Sequence, residues 1–369
     1  MNYSFLDFLG LLGAVGLFLY GMKVMSEGLQ KAAGDRLRNI LSAMTRNRFT
    51  GTATGFLITA LIQSSSASTV MVVSFVNAGL MTLSQSMAVI MGANVGTTFT
   101  AWVIALFGFS VNISSFVLPM LGIAVPLLFA NRSRTKSIGE FLVGFAFLFM
   151  GLDLISKYVP DLQTNPEMFE FLTRYTTMGY GSVWIFMLVG VVLTMIIQSS
   201  AATFAITLIM CSKGWIGFDL SCAIVLGSNI GTTITPILAS LSGNTAAKRT
   251  AMGHLLFNLL GTVWCMTLFY PFVNLTTWLT EVFGFGNPTE LVGFVKHIEL
   301  TQPELYNHLF DNSLPAGHDV MMKIAMMQTS VSYGLSMFHT AFNIVNLSVM
   351  IWLTNVYVKI VAVSYTPLT

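Results

Sequence analysis

Between Phe49 and Asn131 the chain holds no Asp, Glu, Lys, Arg or His. A water-soluble domain needs charge on its exposed faces to stay dispersed, so an uncharged run of this length has to fold in another solvent. The rest of the chain agrees. Charged residues make up 9% of it, hydrophobic residues 54%, and mean hydropathy is +0.76, where a soluble domain carries roughly 25% charge. The solvent is the bilayer. The first residues are apolar and lack a basic n-region and small-residue cleavage site, so they are expected to form the first span rather than a signal peptide. Cys211, Cys222 and Cys265 all lie in apolar stretches, and they read as small buried hydrophobes with no metal-binding or disulfide spacing.

Apolar segments lie at about 5–25, 49–62, 67–81, 86–109, 113–130 and 138–157, then at 181–197, 202–226, 230–242, 250–279 and 324–356. A complete helical crossing takes about 20 residues. Several segments fall short of that, and they are the ones that flank polar runs. Such pieces predict broken or re-entrant helices, tolerated only where they are buried in protein or line a wet cavity.

Self-comparison explains the polar runs. Thr59-Ala-Leu-Ile-Gln63-Ser-Ser-Ser-Ala reappears, at an offset of 135, as Thr194-Met-Ile-Ile-Gln198-Ser-Ser-Ala-Ala. At the same offset Gly92-Ala-Asn94-Val-Gly96-Thr-Thr-Phe-Thr100 matches Gly227-Ser-Asn229-Ile-Gly231-Thr-Thr-Ile-Thr235. A weaker echo pairs Gly21-Met-Lys-Val-Met-Ser26 with Gly151-Leu-Asp-Leu-Ile-Ser156 at an offset of 130. Basic clusters at Arg36/Arg38/Arg46/Arg48, Arg132/Arg134/Lys136 and Lys248/Arg249 are expected in the cytoplasm. The acidic segments at 161–170 and 281–319 then fall outside. On that basis the opening spans of the two halves run in opposite directions, the plan of an inverted repeat.

The predicted architecture is therefore an all-α integral membrane fold of two inverted repeats, with re-entrant helical hairpins and broken transmembrane helices. Residues 1–135 form the first repeat, including an interfacial helix at about 23–48, and residues 136–275 form the second. Residues 276–323 are a polar, extracellular or periplasmic segment, and 324–369 a C-terminal transmembrane helix and tail. The expected location is the cell membrane, with 158–180 and 280–320 outside.

Serine runs in membrane helices often only let helices pack closely. Packing alone does not ask for the same run twice, each with a Gly-x-Asn-x-Gly-Thr-Thr partner at the same distance downstream (Gln63 to Asn94, Gln198 to Asn229). A binding site at the repeat interface does. Gln63 and Gln198 offer amide donors and acceptors, and Ser64, Ser65, Ser66, Ser199 and Ser200 offer hydroxyls. If these residues form hairpin turns, the half-helices that follow present unpaired N–H groups suited to an anion. Gly92, Gly96, Gly227 and Gly231 permit an unwound backbone. Its carbonyls, with Asn94, Asn229, Thr97, Thr98, Thr232 and Thr233, make an oxygen-rich environment for a cation. Neither motif pair contains a basic residue or a carboxylate. An oxyanion held by neutral donors and helix ends, accompanied by a hard monovalent cation such as sodium, is the chemical conclusion.

His254-Leu-Leu-Phe257-Asn258 and His339-Thr-Ala-Phe342-Asn343 form a second doubled motif. Intramembrane polar residues suggest function, but a helix–helix hydrogen bond accounts for them more simply. Pro119, Pro126 and Pro236 are expected at kinks or helix breaks.

The doubled Gln-Ser-Ser runs, the paired Gly-x-Asn-x-Gly-Thr-Thr stretches and the His-x-x-Phe-Asn motifs resemble the type II sodium/phosphate cotransporters, above all their bacterial members. The resemblance covers roughly 10–275 and the helix around 332–352. It implies sodium-driven import of inorganic phosphate by alternating access, with no organic cofactor. Carried over by motif, Gln63, Ser64, Ser65, Ser66, Gln198, Ser199 and Ser200 would hold phosphate, and Asn94 and Asn229 complete the candidate substrate set. Sodium would be shared among Gln63, Ser68, Thr97, Thr98, Gln198, Thr203, Thr232 and Thr233. Ala201 departs from the pattern where the first motif has Ser66, and the chain lacks Asp or Glu between 36 and 139, where electrogenic animal members carry an Asp. The expected partners are phosphate, sodium and lipid, with no nucleic acid, and a homodimer is one assembly open to the chain. Another small anion, such as sulfate or a carboxylate, remains the alternative cargo, and a passive anion channel the alternative mechanism. An intramembrane serine hydrolase is disfavoured, because no G-x-S-x-G elbow is present and an enzyme has no use for a duplicated nucleophile.

Overall fold

The computed structural model describes residues 3–33, 47–108, 114–159, 174–306, 309 and 319–364. The basic cluster Arg36/Arg38/Arg46, the acidic stretch 161–170 and half of the expected interfacial helix, 34–46, lie outside them. In the described part, α1 is Phe5–Ala33, α2 Arg48–Ile62, α3 Ser65–Asn77, α4 Leu83–Gly108, α5 Ser114–Leu128 and α6 Ser133–Tyr158. They are followed by α7 Tyr180–Ile197, α8 Ser200–Ser212, α9 Phe218–Gly231, α10 Ile234–Ser240, α11 Thr245–Thr267 and α12 Phe269–Val282. The chain continues with α13 Glu290–Thr301, α14 Pro303–Tyr306, α15 Asp319–Met350 and α16 Thr354–Ser364. Five of these spans are long and apolar enough to cross a membrane, and two bent pairs add to them. The fold is all-α and multi-spanning.

Residues 23–33 continue α1 without a break, where an interfacial helix was expected. Lys23 and Glu27 do not end the span, because their helix packs along α6 through glycines. A Cβ added to Gly21 would overlap the Leu148 backbone, and one on Gly144, Gly151 or Gly28 would overlap Met25, Phe18 or Phe141. Residue numbers in these contacts rise on one helix as they fall on the other, so α1 and α6 are antiparallel. The Gly21–Leu148 contact, shifted by the offset of 130, is the Phe18–Gly151 contact. One contact is thus made twice, as a pseudo-two-fold axis requires.

α2 and α3 form a hairpin. Asn47 caps α2 in a capping box, with Thr50 N donating to Asn47 Oδ1 at 2.9 Å and Asn47 N to Thr50 Oγ1 at 3.2 Å. The helix ends at Gln63, whose left-handed backbone (φ 58°, ψ 23°) reverses the chain, and Ser64 caps α3. At 15 and 13 residues the two arms reach about 22 and 20 Å, short of the roughly 30 Å hydrocarbon thickness. α7 and α8 repeat the design, with Gln198 at φ 60°, ψ 22° and Ser199 as the cap. Thr194 Oγ1 donates to Thr203 Oγ1 at 2.8 Å across this second turn. α7, at 18 residues, is long enough to cross, yet the chain turns back at its end.

Each hairpin packs its first arm parallel to the helix that follows. In the first repeat, Gly55 meets the Val89 carbonyl, Gly92 the Thr52 carbonyl and Gly96 the Phe56 carbonyl. In the second, Gly190 meets Ile224, Gly227 meets Met187 and Gly231 meets Val191, which are the same contacts at the offset of 135. Small residues let backbones approach where lipid supplies no hydrophobic drive. In α4 the motif glycines therefore serve close packing inside an unbroken helix rather than an unwound backbone. α9 does break, at Thr232–Thr233. Pro236 has no N–H for the Thr232 carbonyl, and Thr233 N turns instead to Ile230 O at 3.0 Å. Pro119 and Pro126 lie inside α5.

The two hairpins open toward opposite faces. Asn244, at the start of α11, bonds Asn77 at the end of α3 (2.8 and 3.0 Å), and Arg48 at the start of α2 reaches Ile351 O beyond the end of α15 at 3.2 Å. On the other face Lys213, after α8, donates to Ser156 O near the end of α6 at 2.8 Å, and Gln328 to Ser212 O at 3.0 Å. These long-range contacts are consistent with the inverted-repeat arrangement. The two helices with His-x-x-Phe-Asn, α11 and α15, each end in a bend, of 89° into α12 and 85° into α16.

Candidate functional site

The tips of the two hairpins meet. Gln63, Ser64, Ser65 and Ser66 from one, and Gln198, Ser199, Ser200 and Ala201 from the other, line a single cavity of about 450 Å³. Thr97 and Thr100 of α4 complete one side, and Lys23, Ser26, Glu27 and Gln30 of α1 another.

Each glutamine is fixed by its own repeat. Gln63 Nε2 donates to the Ala60 carbonyl, and Gln63 Oε1 accepts from Thr100 Oγ1 at 3.0 Å. Gln198 Nε2 donates to Met195 O at 2.5 Å and Oε1 accepts from Thr235 Oγ1 at 2.6 Å. These bonds leave each amide with one N–H to offer. Ser64 and Ser199 each accept a capping bond at 3.2 Å, from Ala67 N and Ala202 N, so their hydroxyl protons stay available. The first N–H groups of α3 and α8 have no carbonyl to bond within their helices. Two positive helix ends therefore bear on one cavity, which favours an anion.

The threonines behind the tips have the opposite bias. Thr97, Thr98 and Ser68 donate their hydroxyl protons to the carbonyls of Ala93, Val95 and Ser64 at 3.1, 2.8 and 2.9 Å. Thr232, Thr233 and Thr203 do the same to Ser228, Ile230 and Ser199 at 2.9, 2.7 and 3.2 Å. With their protons committed, these oxygens present lone pairs, the donor set of a hard cation. The Thr59 hydroxyl is buried without a partner, while its counterpart Thr194 bonds Thr203.

Of the residues singled out in the sequence, Asn94 and Asn229 are not on the cavity wall. Asn94 Nδ2 donates to Ile90 O at 2.9 Å, and Asn229 Oδ1 lies 3.2 Å from His339 Nε2. That bond joins α9 to α15, as a helix clamp should. His254 is equally buried, and neither of its ring nitrogens has a partner. Ser68, Thr98, Thr203, Thr232 and Thr233 lie behind the wall rather than on it. Sequence reasoning misses Thr100 and Thr235, although both stand in the repeated motif at the same separation, 37, from their glutamines. It also misses the α1 stripe, of which Lys23 and Ser26 alone fall within the faint echo at offset 130.

The chain matches the Na+/Pi-cotransporter family over residues 17–157 and 165–287. It is 31% identical over 271 residues to "Putative inorganic phosphate export protein YjbB" of Salmonella typhimurium, covering 73% of this chain and 48% of that protein. It is 33% identical over 267 residues to the uncharacterized protein YqeW of Bacillus subtilis, covering 72% of this chain and 82% of that one. A shorter stretch of 100 residues, 26% of this chain, is 39% identical to 15% of the rat sodium-dependent phosphate transport protein 2A. The chain thus spans about half the length of the YjbB relatives it matches. No solved structure matches it. The chain belongs to the Na+/Pi-cotransporter family, a family of transporters and not of enzymes.

Proposed function

We propose that this family member moves inorganic phosphate across the bilayer by alternating access, in symport with sodium, and that phosphate sits between the two hairpin tips. The observation that carries the reading is the convergence of two Gln-Ser-Ser turns, from hairpins opening to opposite faces, on one cavity. A site shared by inverted halves can be exposed to either side by rocking one half against the other. The donors suit the cargo: Gln63, Ser64, Ser65, Ser66, Gln198, Ser199 and Ser200 offer N–H and O–H groups to phosphate oxygens. The hydroxyls with committed protons, at Ser68, Thr97, Thr98, Thr203, Thr232 and Thr233, suit sodium. Each ion offsets the other's charge where the dielectric is low.

Arg48, Arg132, Arg134, Lys136, Lys248 and Arg249 gather on the face where the first hairpin opens, and the positive-inside tendency assigns that face to the cytoplasm. The repeats are taken as 1–135 and 136–275. Under an inward sodium gradient the symporter imports. A second reading, export, is favoured by the name that the YjbB relatives carry. Tracer phosphate flux in proteoliposomes, with the sodium gradient imposed in each direction and with sulfate as competitor, separates these. Flux that follows the sodium gradient supports symport. Flux indifferent to sodium overturns the coupling, and sulfate carried in place of phosphate overturns the cargo.

A further inference from the structure

Neither Gln-Ser-Ser motif brings a charge to the cavity, but α1 does. Lys23, Ser26, Glu27 and Gln30 are spaced to share one face of α1, and all four line the cavity with the two tips. The stripe is held in register. Gln30 Nε2 donates to Ser26 Oγ at 2.8 Å, and Ser26 Oγ donates to the carbonyl of Ile62, the residue before Gln63. The polar face of α1 is therefore latched to the first tip.

Depth makes Lys23 the notable member. α1 runs antiparallel to α6, with Gly21 against Leu148 and Met25 against Gly144, so Lys23 lies level with Ala146. That level is the middle of α6, Ser133–Tyr158. An ammonium at mid-span is expensive unless it faces a wet cavity and has a task there. Its ion pair among the described residues is with Glu27, one helical turn on, at 4.0 Å, with side chains 71% and 47% exposed. So loose a pair contributes little to stability and leaves the ammonium able to change partner. At the matching positions of α6, Asp153 and Lys157 reverse the two charges, and neither lines the cavity. Among the described residues the basic group on the cavity therefore comes from one repeat only.

We propose that Lys23 is the basic group of the anion site: its ammonium binds a phosphate oxygen, and Glu27 is its counter-ion when the site holds no anion. This rests on the reading of phosphate as cargo. A charge-assisted bond is stronger than any one neutral bond the tips supply, so Lys23 adds to the affinity that the tips provide. Glu27 competes with phosphate for the ammonium, so its removal should tighten binding.

The test is phosphate flux in proteoliposomes at fixed sodium, with KM and kcat separated. Lys23→Gln should raise KM about tenfold and leave kcat within about twofold, and Lys23→Arg should restore most of the affinity. Glu27→Gln should lower KM. An unchanged KM in Lys23→Gln, beside a wild type that carries phosphate, overturns this proposal and leaves the functional reading standing. A wild type that carries no phosphate overturns both. If Lys23→Gln does not reconstitute, Glu27→Gln decides: a lower KM supports the proposal, and an unchanged or higher one overturns it. Equal upward shifts in Lys23→Gln and Glu27→Gln would make the pair structural and would also overturn it.

Discussion

Gln63 is asked to do two separable things, to turn the chain and to present an amide, and substitution can pull these apart. Its φ of 58° is left-handed, a conformation that costs a residue with a side chain about 1–2 kcal/mol and glycine almost nothing. Its side chain makes two hydrogen bonds, to Ala60 and from Thr100, each contributing about 0.5–1.5 kcal/mol. Gln63→Ala keeps the backbone cost and loses both bonds, a net loss of roughly 1–3 kcal/mol at the tip. Gln63→Gly loses the same bonds and recovers about 1 kcal/mol of backbone strain, so it should be the more stable of the two by on the order of 1–3 °C in melting temperature. Both should lose phosphate affinity alike, because neither has the amide. Thermal melts in detergent and flux in proteoliposomes read the two effects separately. If Gln63→Gly melts no higher than Gln63→Ala, the turn does not depend on a strained backbone. If either variant keeps the wild-type KM, the amide is not a ligand.

Gly227→Ala would drive a methyl into the Met187 carbonyl, a backbone atom that cannot swing aside, and should destabilise by at least the roughly 1–3 kcal/mol of an overpacked core. Gly293→Ala, in open space on α13, should stabilise by about 0.5–1 kcal/mol, so melting the two side by side tests whether contact or composition matters. Pro236→Ala should let α9 and α10 fuse as α4 does around its counterpart Ala101, raising the melting temperature while weakening the sodium dependence of flux through Thr232 and Thr233. A lower melting temperature would mean that the break is held by something other than the missing N–H.

The repeat was legible in the sequence because its contacts depend on residue identity. Glycines at 92, 96, 227 and 231 must be glycines for the arms to touch, and Gln-Ser-Ser must recur where two tips build one site. What those glycines do was less legible: permission to unwind and permission to approach look the same in one dimension, and only the proline on α10 tells the halves apart. Asn94 and Asn229 stood in the right motif but are engaged elsewhere, Asn94 with the Ile90 carbonyl of its own helix and Asn229 with His339 of α15. The charges of α1 suggested a helix lying at the interface. They are instead compatible with a span because Lys23 and Glu27 face the cavity and Lys31 pairs with Glu140 of α6 at 2.7 Å. Its two partners are far apart in the chain, and no local pattern announces it.

If the two Gln-Ser-Ser tips make one phosphate site between them, neither tip alone holds the anion. Equilibrium binding of labelled phosphate to the purified protein in saturating sodium tests it most directly, comparing wild type with Ser65→Ala and Ser200→Ala. One phosphate per chain is expected in the wild type, at an affinity that either substitution lowers by about 1–3 kcal/mol, with the stoichiometry unchanged. Two phosphates per chain, with each substitution removing one and sparing the other, would mean that the hairpins bind separately and would contradict it.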